Sequence, residues 1–224
     1  LRRAGAACLS AGADYVERAT DRLCGVAPGD DAATDARAHH LINLFDATYG
    51  QYHSERSGHH AADPVNWLAV LGTSRRLVHG TEVLSRRYAT VTPLPWPAAA
   101  ERLRGEGRAV AAGYRTVAAA LRTDRPASGH EEDAPPLDTA LVDSAHVDTT
   151  WFGPGVHGDS TAQPWPLATA SPAERSAHPD AAMLLLDTWA WLRWLADDLA
   201  RLRGQLGANG PRRAVRAELT TQPG

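Results

Sequence analysis

The chain contains no lysine: all 23 of its basic side chains are arginine, set against 26 acidic ones for a formal charge of −3 over 224 residues. A balance this close to neutral gives no electrostatic footprint for a long phosphate backbone, so nucleic acid is not an expected partner. Cysteine is scarce as well. Cys8 and Cys24 are too few for a disulfide framework, and on one continuous helix they would stand roughly 24 Å apart at 1.5 Å per residue. They read as buried or spare thiols of a reducing compartment. No run reaches the 18 apolar residues of a membrane span, because even AAMLLLDTWAWLRWLA is interrupted by Asp187 and Arg193. A signal peptide is also missing, since Arg2 and Arg3 lead into an Ala/Gly-rich stretch carrying Asp14, Glu17 and Arg18. Strand patterning, a P-loop, a G-x-S-x-G elbow and a dinucleotide glycine fingerprint are all absent, which removes the scaffolds for nucleotide binding and for serine hydrolysis.

What is present is helical periodicity, in five stretches. The first carries Leu1, Ala4, Cys8, Ala11, Tyr15, Ala19 and Leu23, a stripe of mostly small residues, and ends near Gly25 and Pro28. The second runs from Asp31 or Thr34 to Glu55, with Leu41, Leu44, Phe45, Thr48, Tyr49 and Tyr52 on one side and a stop at Ser57-Gly58. The third is expected to open at Asp63 and Pro64 as N-cap and first helical residue, and to continue to Tyr88. Prolines 93, 95 and 97 around Trp96 impose an extended connector. A fourth helix follows over 98–122, weakened by Gly105, Gly107 and Gly113 at about 1 kcal/mol each relative to Ala. The last opens on Ser171, Pro172 and Glu174 in the pattern of a capping box, with a kink expected at Pro179, and runs to about Leu206.

These stretches predict an all-α bundle of five main helices over 1–206, with antiparallel neighbours. Between the fourth and fifth, 123–170 loses periodicity. It reads as an irregular acidic insertion with one short helix near 137–145 and with Trp151, Phe152 and Trp165 pinning its second half. The tail 207–224 is expected to be disordered. Because the chain opens on Leu1 inside an already helical pattern, it reads as a piece of a longer reading frame, itself soluble.

Ten histidines invite a metal search. His39 with His40, and His53, His59 and His60 with Asp63, do not form the H-E-x-x-H or paired Glu-x-x-His patterns that place ligands on one helix face. Asp35 with His39, and Glu174 with His178, are i, i+4 pairs that read as surface pairing, so neither metal ligands nor a cofactor are assigned. No catalytic residues are assigned either. The residues singled out for ligand or partner contact are Arg75 and Arg76 and the tryptophans Trp189, Trp191 and Trp194, which are placed on different sides of the last helix. Against this stands the plainer reading of a core stripe and of solvated arginine pairs, Arg86 and Arg87 included.

Four segments, LRRAGAACLSAGADYVERATDRL, RAHHLINLFDATYGQYHSER, WLAVLGTSRRLVHGTEVLSRRY and HPDAAMLLLDTWAWLRWLADDLARL, together resemble the soluble cytoplasmic region of FUSC-type membrane proteins, the fusaric acid resistance or aromatic acid exporter group. The arginine-only, alanine-rich composition resembles that of a high-GC actinobacterial protein. The resemblance covers nearly all of Leu1 to Leu206 and rests on the order of helices, with no catalytic motif to carry over. It implies a non-enzymatic domain on the cytoplasmic side of the plasma membrane, in contact with its own upstream membrane segment, with other subunits or with a second copy, and near a small aromatic or acidic solute. Arg2 and Arg3 would then lie just beyond a preceding membrane helix, where arginines favour the cytoplasmic side. The alternatives are a free-standing ligand-binding or regulatory bundle and, third, a helical metalloenzyme using His39, His40 or His53.

Overall fold

A stripe of small residues lets one helix sit closer to its neighbours than a leucine stripe would, and the first helix takes that central place. The computed structural model describes residues 1–26, 31–55, 65–90, 94–123 and 170–220, with the backbone alone at 31 and over 207–220. Among the described residues there are six helices and no strand: α1 (Arg2–Leu23), α2 (Asp31–Glu55), α3 (Trp67–Arg87), α4 (Pro97–Thr123), α5 (Pro172–Ala177) and α6 (Pro179–Thr220). Around α1 lie α2, α3 and α4, while α6 closes a four-helix ring by packing against α3 and α4. The ring order is thus α1, α3, α6, α4, with α2 laid outside against α1 and α3.

The cross-helix pairs fix the directions. Arg115 meets Asp14 and Arg104 meets Asp21, so α1 and α4 are antiparallel. Tyr15 lies against His39 and Gly5 against Phe45, which makes α1 and α2 antiparallel; Gly5 also faces Trp67 and Gly12 faces Leu77, which makes α1 and α3 parallel. Asp187 meets Tyr88 and Asp198 meets Arg76, so α3 and α6 are antiparallel. Trp96 faces His178 and Tyr114 reaches Leu195, so α4 and α6 are parallel. Consecutive helices α1 to α4 therefore alternate as expected, but α4 and α6 do not. The expectation of antiparallel neighbours fails there because the chain between Thr123 and Pro172 joins opposite ends of the bundle.

The buried core runs through all five long helices. Its largest fully buried side chains include Leu9, Phe45, Leu77, Leu103, Tyr114, Leu184, Leu192 and Leu195. Two glycines are placed by close approach. At Gly12 a Cβ would stand 2.5 Å from Leu77 Cδ2, and at Gly107 it would stand 3.0 Å from Thr20 Cβ. Glycine costs each helix roughly 1 kcal/mol relative to alanine, and here that cost is offset by shorter interhelix distances. Two buried threonine hydroxyls are satisfied within their own helices: Thr20 donates to the Val16 carbonyl at 2.8 Å and Thr188 to that of Leu184 at 2.7 Å.

The helix ends show what sequence signals can do. Gly25 takes a left-handed φ of 81° just after α1, where the sequence places its stop. The capping box at Ser171 forms as the spacing predicts, with Glu174 N–H donating to Ser171 Oγ at 3.2 Å and Ser171 N–H donating to the Glu174 carboxylate at 2.7 Å. These bonds, the backbone one foremost, hold the Glu174 carboxyl below its ordinary pKa. Three ends differ from the expectation. The third helix is capped by Asn66, whose side chain accepts from Ala69 N–H at 3.1 Å, while Asp63 and Pro64 lie outside the described residues. The expected kink at Pro179 is a break: His178, at φ −134° and ψ 62°, ends α5, and Pro179 begins α6. Proline lacks the N–H that a continuing helix needs, so it starts a helix more readily than it bends one. The backbone of α6 is helical to Thr220, past the expected end near Leu206. The acidic insertion, its short helix, its pinning aromatics, His59, His60 and the Ser57-Gly58 stop lie outside the described residues. No helix among the described residues is long and apolar enough to cross a membrane.

Candidate functional site

Three of the five residues singled out from sequence, Arg76, Trp191 and Trp194, meet where α3 runs antiparallel to α6. On α6, Asp187, Trp191, Trp194 and Asp198 recur at i, i+4, i+7 and i+11 and so share one face, which is turned to α3. Trp191 and Trp194, about 60° apart at 100° per residue, therefore share the face turned to α3, which corrects the placement of all three tryptophans on different sides. Trp189 is separate and half-buried against the core.

Asp198 is the anchor of this seam. Its side chain is 3% exposed, yet it is a carboxylate, and it is stabilised by Arg76 Nε at 2.5 Å and by Arg201 Nη1 at 3.1 Å. Arg76 also donates to Thr73 Oγ1 at 3.2 Å and holds its guanidinium 5.5 Å from the Trp194 ring centroid. A planar guanidinium can do both at once, hydrogen-bonding in its plane and stacking across it. Trp194 is 43% exposed at the edge of this arrangement. One turn toward the α6 N-terminus, the Trp191 indole is admitted by Gly80, where a Cβ would stand 2.9 Å from Nε1. That buried N–H has no hydrogen-bond partner. At the end of the seam Tyr88 donates to Asp187 Oδ2 at 2.5 Å, and Arg87 lies 3.1 Å from the same oxygen. Burial foremost, then the Asp187 carboxylate, holds the Tyr88 hydroxyl in its protonated form.

The arginine pairs of α3 are all matched to carboxylates. Arg75 reaches Asp46 on α2, Arg76 reaches Asp198, Arg86 lies 2.5 Å from Glu82, and Arg87 reaches Asp187. The face they occupy is therefore close to neutral, and Leu68 and Val83, which flank Arg75 and Arg76 along α3, are 65% and 66% exposed.

The histidines sort differently from their sequence neighbourhoods. His53 stacks on Tyr49, and His40 is exposed. His39 turns inward from α2, with its ring 6.1 Å from that of Tyr15, and meets His79 and Glu82 of α3. Sequence reasoning missed these two partners, because their separation from His39 is set by the α2–α3 packing and by no local spacing. The i, i+3 relation of His79 to Glu82 was the only readable part of the group.

The remaining reactive groups are quiet. Burial pushes the Cys8 thiol up to about 11, with the Ser74 hydroxyl beside it, and the Cys24 thiol up to about 12. Tyr15 is raised to about 12, by burial first and then by the Asp35 carboxylate. At neutral pH both cysteines are thiols, and a thiol is a poor nucleophile. No family model, no curated protein and no solved structure matches the chain, so the reading of its function rests on these residues alone.

Proposed function

We propose that this chain is a non-catalytic helical domain of a FUSC-type membrane permease or efflux protein, working as an assembly surface on the cytoplasmic side. The observation that carries this reading is the outward side of α3 and its seam with α6. There, exposed Leu68 and Val83 flank ion-paired arginines, next to an exposed Trp194 and an Arg76 already positioned over it. Apolar side chains set among neutralised charges suit a protein contact better than a phosphate or lipid headgroup, which needs uncompensated positive charge. The expected partners are the membrane segment of the same protein or further subunits, and an aromatic acid is the expected solute at Trp191 and Trp194.

The test uses the complete reading frame that contains this chain, expressed and washed with alkaline carbonate. Retention in the membrane fraction is the expected result; release overturns the permease reading and favours a free-standing regulatory or ligand-binding bundle. The solute contact is tested by tryptophan fluorescence. An aromatic acid should quench the wild type and lose most of that effect in Trp194→Leu, with helicity unchanged by circular dichroism. Equal quenching in both would remove the solute from the proposal.

A further inference from the structure

The corner where α2 crosses α3 carries two imidazoles and a carboxylate that converge on one point. His39 Nε2 from α2 and His79 Nδ1 from α3 each lie 3.6 Å from the same oxygen, Oε2 of Glu82. One ligand atom from each of the three residues can be chosen so that all lie within 4.8 Å of one another. A separation of 3.6 Å is too long for an N–H···O hydrogen bond, whose usual range ends near 3.2 Å. It is close to the edge of a tetrahedron with arms of 2.0–2.1 Å, which is roughly 3.4 Å. We propose that His39, His79 and Glu82 form a binding site for a divalent first-row transition ion of the zinc type, with water completing the coordination.

The surroundings support this donor set. Glu82 presents Oε2 to both histidines because its other oxygen, Oε1, is held by Arg86 at 2.5 Å, which fixes the carboxylate for one-oxygen ligation. His39 is two-thirds buried and its ring packs edge-on to Tyr15, so its nitrogen is placed before any ion arrives. His79 is 56% exposed, with its ring 5.8 Å from that of His39, and so is free to make the short swing that closes the third edge. Two nitrogen donors and one oxygen select a borderline ion such as zinc over calcium or magnesium, which take all-oxygen shells. The site draws its ligands from two helices, and α2 is the helix outside the four-helix ring. A bound ion would therefore tie α2 to α3, acting as a structural clamp.

The test uses the full chain without a histidine tag. Zn²⁺ is titrated against it by calorimetry, and Co²⁺ is added separately to read the visible absorption of a low-symmetry, nitrogen-ligated ion. One equivalent should bind at micromolar concentration, with a rise in melting temperature. His39→Ala, His79→Ala and Glu82→Gln should each weaken binding at least tenfold and abolish the thermal shift. His40→Ala, at the exposed neighbour of His39, should change neither. His79 and Glu82 are partly exposed, so those two variants keep the test intact should His39→Ala fail to fold. Absence of binding up to roughly millimolar Zn²⁺ overturns the site. So does an affinity that is the same in His79→Ala and Glu82→Gln as in the wild type, which would place the ion on other histidines.

Discussion

The two antiparallel seams of the ring hold together by different means. Between α1 and α4, glycine and alanine bring the backbones close, and a ladder of partly exposed arginines runs along the edge. Arg115 bonds Asp14 at 2.8 Å and Glu17 at 2.6 Å, Arg108 lies 3.7 Å from Asp21, and Arg104 bonds Asp21 at 2.9 Å. Between α3 and α6 the side chains are large, and one buried carboxylate serves two arginines. The first seam is spread out, with Glu17 and Asp21 each lying near two arginines. The second is concentrated on one carboxylate, because Asp198 is 3% exposed and is bound across the seam by Arg76.

The largest effect is expected where the concentration is greatest. Arg76→Leu should cost about 2–3 kcal/mol, below the 3–5 kcal/mol of a fully buried pair because the Arg76 side chain is 42% exposed. Adding Asp198→Leu should return much of the loss, since the carboxylate left without its main partner is then gone. Urea unfolding of the single and double variants checks this; a double variant as weak as the sum of its singles would show that the charge pair is not the issue.

On the other seam the close approach should matter more than the charges. Gly107→Ala places a Cβ against the branched side chain of Thr20, which cannot swing away without breaking its own bond to Val16, and the expected loss is about 1–2 kcal/mol. Gly105→Ala, two residues earlier on the same helix, meets nothing within 4 Å and should gain about 0.5–1 kcal/mol through helix propensity. A matched pair of melting curves decides whether packing separates the two glycines. Arg115→Ala should cost the least, under about 1 kcal/mol, because its bonds are partly screened by water and Arg108 stays beside Glu17.

Alkali sharpens the contrast from another side. The Cys8 and Cys24 thiols of the α1 region have folded pKa values above their unfolded ones, so the folded state holds their protons more tightly. The stability tied to them is complete below about 9 and is lost as pH rises toward 11 and beyond. A thermal-melting series from pH 8 to 11 should show this decline, shallower in Cys8→Ala. A thiol reagent should leave both cysteines unmodified in the native protein at pH 7 and label them on unfolding.

Much of this architecture was legible in the sequence, and what was legible was local. The apolar period located the helices, Ser171-Pro172-Ala173-Glu174 located a cap to the residue, and Gly25 located a stop. Asp198 had an ambiguous local signal, one of two adjacent acids between Leu195 and Leu199, and only burial reveals it as the anchor. The partners of His39 had none, because a residue on α2 and two on α3 become neighbours through packing. Likewise, the parallel run of α4 and α6 cannot be read from helix order, since the direction of a helix after a long connection depends on which end of the bundle that connection reaches.

That parallel run gives the molecule a natural point of division. Helices α1 to α4 fold back on one another through short connections, whereas α6 reaches its place only after the chain has crossed from one end of α4, about 40 Å long, to the other. Bringing together helices so far apart in sequence costs entropy before any contact of α6 forms, and the docking of α6 resembles an association between two molecules tethered together. Cutting the chain between Thr123 and Ala170 would turn that tether into a true bimolecular step. Fragments 1–123 and 170–224 should then find each other at a concentration-dependent rate, with Trp191, Trp194 and Asp198 as the surface by which the second recognises the first.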